Sequence, residues 1–114
     1  MKFLIVDDNA AVRRLIRSIV LPFACEIRES TTGEAAIAAY TASRPDLVLM
    51  DVRLDEMDGI EATRRILALD SMARIVIVTA YDDDELRAAA AHAGASGYVL
   101  KDNLLDLVRV LEEL

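Results

Sequence analysis

The chain has one cysteine, two prolines, four glycines, one histidine and no tryptophan among 114 residues. A single cysteine excludes an internal disulfide, so cohesion has to come from a packed core, which a domain of this length can supply. Cys25 reads as a small buried hydrophobe in a reducing compartment. So few prolines and glycines leave no linker, repeat or low-complexity stretch. Positive charge is also scarce: 13 basic against 20 acidic side chains give a net charge of -7. That balance argues against direct contact with nucleic-acid phosphates, which needs a basic face, and it suits a hard cation. Long apolar runs are missing as well. Phe3–Val6 stops at Asp7, too short for a signal peptide, and no run is long enough to span a bilayer. A cytoplasmic, soluble protein without a membrane partner is expected.

What the chain does have is 54% hydrophobic and 29% charged residues, the composition of one globular domain over residues 1–114. Four apolar runs stand out: Phe3–Val6, Leu47–Met50, Ile75–Val78 and Tyr98–Leu100. They are continuous, as in parallel strands covered on both faces. Cys25–Glu29 alternates apolar and charged residues and reads as an edge strand.

Helical periodicity fills the gaps. Val12, Leu15, Ile16, Ile19 and Val20 form one stripe, stopped by Pro22. Thr31-Thr32-Gly33-Glu34 reads as a capping box opening a helix through Tyr40. Further helices are expected from Gly59 to Leu69 and from Asp84 to Ala93, the latter ended near Gly94. Asp82, Asp83, Asp84 and Glu85 make a charged N-terminus that suits the helix dipole. Leu104, Leu107, Val108, Leu111 and Leu114 form the inner face of the last helix, with Leu105 and Val110 pointing away. Strict alternation of strand and helix means an α/β domain with a mostly parallel sheet, helices on both faces and a ligand crevice beyond the carboxyl ends of the strands.

The residues at those ends form a short set: Asp7-Asp8, Asp51, Thr79-Ala80 and Lys101. Three carboxylates in one crevice repel each other unless a cation compensates. An all-oxygen set suits Mg²⁺, which takes one or two carboxylates and keeps several waters. Helix capping by Asp8 and Asn9 accounts for single acids but not for a threonine and a lysine at the other strand ends.

With Tyr98 added, this ordered set resembles the receiver domain of two-component response regulators, along the whole chain. The resemblance implies a flavodoxin-like (βα)5 sandwich with strand order 2-1-3-4-5. It implies a phosphorylation switch rather than an enzyme, with Asp51 accepting a phosphoryl group from a sensor histidine kinase or a phosphotransfer protein. Mg²⁺, with Mn²⁺ as a substitute, would be held by Asp8 and Asp51, by the Arg53 backbone carbonyl and by Asp7 through water. Lys101, the Thr79 hydroxyl and the Ala80 N–H would bind the phosphoryl oxygens. Thr79 and Tyr98 would move as the switch pair. Arg53 and Tyr81 occupy positions that tune phosphate lifetime, and their bulk implies slow self-dephosphorylation. Arg53 is also a candidate partner for Asp7 or Asp51 when no phosphate is bound.

Departures from the family pattern are local. Leu54-Asp55 replace a common Met-Pro, while Asp55, Glu56 and Asp58 read as solvated acids. Asp102 follows Lys101 where a cis proline is usual; a cis bond without proline costs about 3–4 kcal/mol, so a trans peptide is expected. Gly97-Tyr98-Val99-Leu100-Lys101-Asp102 looks like the branch that carries helix-turn-helix output domains, which makes a receiver taken from a longer regulator the favoured reading over a stand-alone one. Arg13, Arg14 and Arg17 form a basic spot on the first helix, a candidate kinase-docking surface, and Leu105 and Val110 suggest a dimer or partner face. His92, in a short alanine-rich helix, does not fit a phosphohistidine role. A haloacid-dehalogenase-type phosphatase needs a second aspartate two residues after the first, where Arg53 stands. A degenerate receiver that only binds proteins is the remaining alternative.

Overall fold

The three central strands bury both faces because their apolar runs are continuous. In the computed structural model, which describes residues 1–113, β1 (Lys2–Val6), β2 (Glu26–Ser30), β3 (Leu47–Met50), β4 (Ile75–Thr79) and β5 (Gly97–Leu100) form one parallel sheet in the order β2-β1-β3-β4-β5. The helices are α1 (Ala10–Val20), α2 (Gly33–Ser43), α3 (Gly59–Leu69), α4 (Asp84–Ala93) and α5 (Asp106–Glu112). Alternate residues of each central strand feed two cores. Leu4, Val6, Val48, Met50, Ile75 and Ile77 pack with Tyr40, Ile66 and Ala90 of α2, α3 and α4. Phe3, Ile5, Leu47, Leu49, Val76 and Val78 pack with Ile16, Val20, Leu107 and Leu111 of α1 and α5. The order and the two helical layers are those expected.

Local chemistry sets the helix starts. The Asn9 side chain accepts the N–H groups of Ala11 and Val12, Asp58 accepts that of Glu61, and Asp83 accepts those of Glu85 and Leu86. Gly94, at φ 102°, closes α4 in the left-handed conformation that glycine adopts freely. The Lys101–Asp102 peptide is trans, since the described chain has no cis bond.

Several expectations are corrected. Cys25 is exposed, because β2 begins one residue later and Cys25 meets the sheet through its N–H and thiol, both on the Met1 carbonyl. Leu15 is also exposed: it sits at the margin of the α1 stripe, whose buried centre is Ile16 and Val20. The α2 cap is Thr32 bonded to the Ala35 N–H, which leaves Glu34 one position short of closing a capping box. Val110 does not point away from the core but packs against the α1–α5 side, whereas Leu105 is exposed. Leu104 is buried ahead of α5, after a 3₁₀ turn over Lys101–Asn103. Leu114 lies outside the described residues.

Candidate functional site

Parallel register places the ends of β1, β3, β4 and β5 along one edge, and their terminal residues meet there. Asp7 directly follows Val6, its N–H bonded to the Ser30 carbonyl, and Asp51 follows Met50, its N–H bonded to the Val6 carbonyl. The ladder itself therefore carries both carboxylates to the same depth. Asp7 and Asp51 are buried, at 1% and 4% exposure, while Asp8 faces solvent. One oxygen from each of Asp7, Asp8 and Asp51 lies within 4.8 Å of the others.

Lys101 arrives from the far edge of the sheet. Its Nζ is 2.8 Å from Asp7 Oδ2 and 3.3 Å from Asp51 Oδ2, so one ammonium spans both buried acids. Asp7 Oδ1 accepts the Asn9 N–H at 2.9 Å. Asp7 Oδ2, by contrast, is a buried oxygen that meets Lys101 as an ion pair without a properly directed hydrogen bond. Burial and then the Asp7 charge push the Asp51 pKa up, against the opposing pull of Lys101 and the Arg53 N–H. Burial works to lower the Lys101 pKa, but its contacts with Asp7 and Asp51 outweigh this and raise it.

This donor set fits a small hard dication. It offers oxygen only, clusters three carboxylates, and leaves a buried carboxylate oxygen short of a donor.

Around the acids, Thr79 is fully buried at the end of β4 and its hydroxyl oxygen accepts the Tyr81 N–H at 3.3 Å. Ala80 is exposed beside it. Arg53 does not pair with Asp7 or Asp51, because Lys101 already occupies that position. The Arg53 guanidinium instead stacks 4.7 Å from the centre of the Tyr81 ring. Tyr98 is half-buried, donates its hydroxyl to the Tyr81 carbonyl at 2.7 Å and lies under Arg87 at 4.5 Å. Asp58 serves as the α3 cap, and Asp55 and Glu56 are exposed.

One residue at the site carried no chemical signal in the sequence. A Cβ on Gly59 would stand 1.8 Å from the Asp51 carbonyl oxygen, so α3 packs directly against the backbone of the central acid. The only hint was a glycine at the start of a helix soon after Asp51. The basic spot on α1 also resolves differently. Arg13 and Arg17 both pair with Glu29 of β2, while Arg14 is exposed.

A doubly wound sheet with carboxylates, a threonine and a lysine converging at its strand ends defines a class: an α/β domain with an acidic cluster suited to a cation at its switch edge. The chain belongs to the response regulator receiver domain family, whose model matches residues 3–112. The chemotaxis protein CheY of Bacillus subtilis (strain 168) is 37% identical over 114 residues, covering 99% of this chain and 93% of that protein. The crystal structure of a LuxR-family two-component response regulator from Aurantimonas sp. SI85-9A1 matches with TM-score 0.91 and 35% identity, over 98% of this chain and 82% of that one. The CheX-CheY-BeF3-Mg²⁺ complex from Borrelia burgdorferi matches with TM-score 0.86 and 25% identity, over 98% of this chain and 87% of that one. Receiver domains of this kind are signalling switches. Among the described residues, no helix is long and apolar enough to cross a membrane.

Proposed function

We propose that residues 1–114 act as a phosphorylation switch in which Asp51 takes a phosphoryl group from a histidine of a sensor kinase or phosphotransfer protein. The observation that carries this reading is the buried Asp51 carboxylate held between Asp7 and Lys101 at the carboxyl edge of the sheet. An Asp51 oxygen forms the new bond to phosphorus as the bond from imidazole nitrogen to phosphorus breaks, and the imidazole keeps the electron pair and takes a proton. Such transfer is mostly positioning and charge neutralisation.

Asp8, Asp51 and the Arg53 carbonyl would hold Mg²⁺, or Mn²⁺ in its place, with Asp7 acting through water. When bound, the ion neutralises charge on the transferred oxygens. The resemblance to a relative solved with Mg²⁺ and BeF3 supports that assignment. Lys101 shifts its ammonium from the carboxylates to a phosphoryl oxygen, and the Thr79 hydroxyl and Ala80 N–H donate to others. Drawing the Thr79 hydroxyl toward phosphate removes the acceptor of the Tyr81 N–H and so perturbs the loop to which Tyr98 is bonded. That links the charge event to the face made by α4 and β5. Arg53 and Tyr81 shield the acyl phosphate from water. The domain turns over no substrate of its own beyond gaining and losing the phosphoryl group, and it acts in the cytoplasm, with neither nucleic acid nor membrane as a direct partner. Exposed Leu105 is the apolar element of a homodimer or partner face.

Incubation with acetyl phosphate and Mg²⁺, followed by intact mass measurement, tests the reading. The expected result is one phosphoryl adduct that Asp51→Asn abolishes. Sustained release of phosphate would indicate a phosphatase, and no adduct would indicate a protein-binding module.

A further inference from the structure

Asp7 and Asp8 sit on the short segment between β1 and α1, and something must hold that segment against the mutual repulsion of its acids. The Asp7 N–H is tied to the Ser30 carbonyl, and its side-chain Oδ1 accepts the Asn9 backbone N–H. One side chain reaches the Asp7 carbonyl. Arg13 Nη1 donates to it at 2.6 Å, while the same guanidinium's Nε donates to Glu29 Oε1 at 2.8 Å. The side chain is only 16% exposed, and Arg17 holds the other Glu29 oxygen at 3.0 Å. The guanidinium therefore bridges the turn that carries the acidic pair to the edge strand β2. A planar fork with several fixed donors can make both bonds at once, whereas a lysine ammonium is a point charge on a flexible stem.

We infer that Arg13 is a positioning residue for the cation site: anchored by Glu29, it fixes the Asp7-Asp8 peptide so that both carboxylates face Asp51. The inference rests on the reading of these acids as Mg²⁺ ligands. It gives Arg13 a different task from the docking surface suggested by the sequence. Groups that orient metal ligands from outside the coordination shell contribute on the order of tenfold or more to metal affinity.

The two effects of Arg13 on a dication have opposite signs, which makes the inference decidable. As a positive charge near the acids it repels Mg²⁺, so a purely electrostatic role predicts tighter binding when it is removed. As a positioning group it favours Mg²⁺, so its removal weakens binding.

The test is Mg²⁺ titration of the unphosphorylated protein by calorimetry, cross-checked by competition against Mn²⁺ followed by electron paramagnetic resonance, for the wild type, Arg13→Ala, Arg13→Lys and Glu29→Gln. Circular dichroism confirms folding. The expected result is affinity weakened on the order of tenfold in both Arg13 variants, with a smaller loss in Glu29→Gln, where the bond to Asp7 survives. Unchanged or tighter binding in Arg13→Ala would overturn the inference while leaving the Mg²⁺ reading intact. A wild type that binds no Mg²⁺ would overturn that reading, and the inference with it. Should Arg13→Ala fail to fold, Arg13→Lys decides: it keeps the charge and loses the bridge, so weaker binding supports positioning and unchanged binding overturns it.

Discussion

Lys101 Nζ lies 2.8 Å from Asp7 Oδ2, an ion pair that joins the end of β5 to the end of β1 across the two intervening strands. The same ammonium stands 3.3 Å from Asp51, so it compensates two buried acids that nothing else in the described site neutralises. Lys101→Met should therefore cost about 2–3 kcal/mol of stability without metal, the penalty of stranding buried charge. Millimolar Mg²⁺ should recover part of that loss. Urea unfolding with and without Mg²⁺ measures it; an equal loss in both conditions would show that the lysine and the cation do not share a task.

Asp51 itself sets a pH dependence. Its folded pKa is raised above the ordinary value of 3.8, so the folded protein holds this proton more tightly than the unfolded chain does. Stability then falls as pH rises from about 3.8 through the raised value, and the penalty persists at neutral pH. Asp51→Asn should remove it, stabilising the metal-free protein at pH 7. The gain should fade once the pH drops below the ordinary carboxylate range. Thermal unfolding from acid to neutral pH checks both the sign and the window.

Gly59 makes a steric prediction. Alanine there would drive a methyl carbon into the Asp51 carbonyl oxygen at 1.8 Å, and neither backbone can yield without moving α3 or the acid. A loss of about 3 kcal/mol is expected in urea unfolding, together with weaker Mg²⁺ binding in calorimetry. Full stability with normal binding would mean that the approach of α3 to Asp51 is loose.

On the proposed reading Arg53 and Tyr81 form one cover, since the guanidinium stacks on the ring. Arg53→Ala and Tyr81→Ala should each shorten the lifetime of the Asp51 phosphate severalfold, and the double variant should shorten it by less than the product of the two, since either change breaks the same stack. Decay of the phosphorylated species by mass spectrometry reads this directly. A lifetime unchanged in the double variant would rule out the shield.

Glu56 holds φ at 65°, in a loop where its side chain is exposed. Glycine adopts that conformation without a Cβ clash, so Glu56→Gly should raise stability by about 1 kcal/mol. Chemical denaturation would show it, and destabilisation would point to a contact of the Glu56 side chain that offsets the strain.

The residues that make the site were legible in the sequence because parallel strands between helices read as continuous apolar runs, and right-handed crossovers bring all their carboxyl ends to one edge. Asp7, Asp8, Asp51, Thr79 and Lys101 could thus be gathered without coordinates. Their contacts could not. Periodicity says that a stripe exists but not how wide an arc the sheet covers, which is why Leu15 fell outside it while Ile16 and Val20 fell inside. Strand boundaries blur by a residue, and that single step exposed Cys25.

By itself the sequence determined the alternating α/β pattern and the strand-end set, which follow from local pattern and chain connectivity, while the strand order and the central place of Asp51 came from the resemblance to the receiver family. Only the tertiary structure decided that Asp7 is buried and Asp8 exposed, that Lys101 rather than Arg53 compensates the acids, that Gly59 backs Asp51, and that Arg13, anchored by Glu29, reaches the Asp7 carbonyl. These relationships join side chains or backbones from different strands, helices and loops. They depend on side-chain direction and packing across the sheet, which no local spacing encodes.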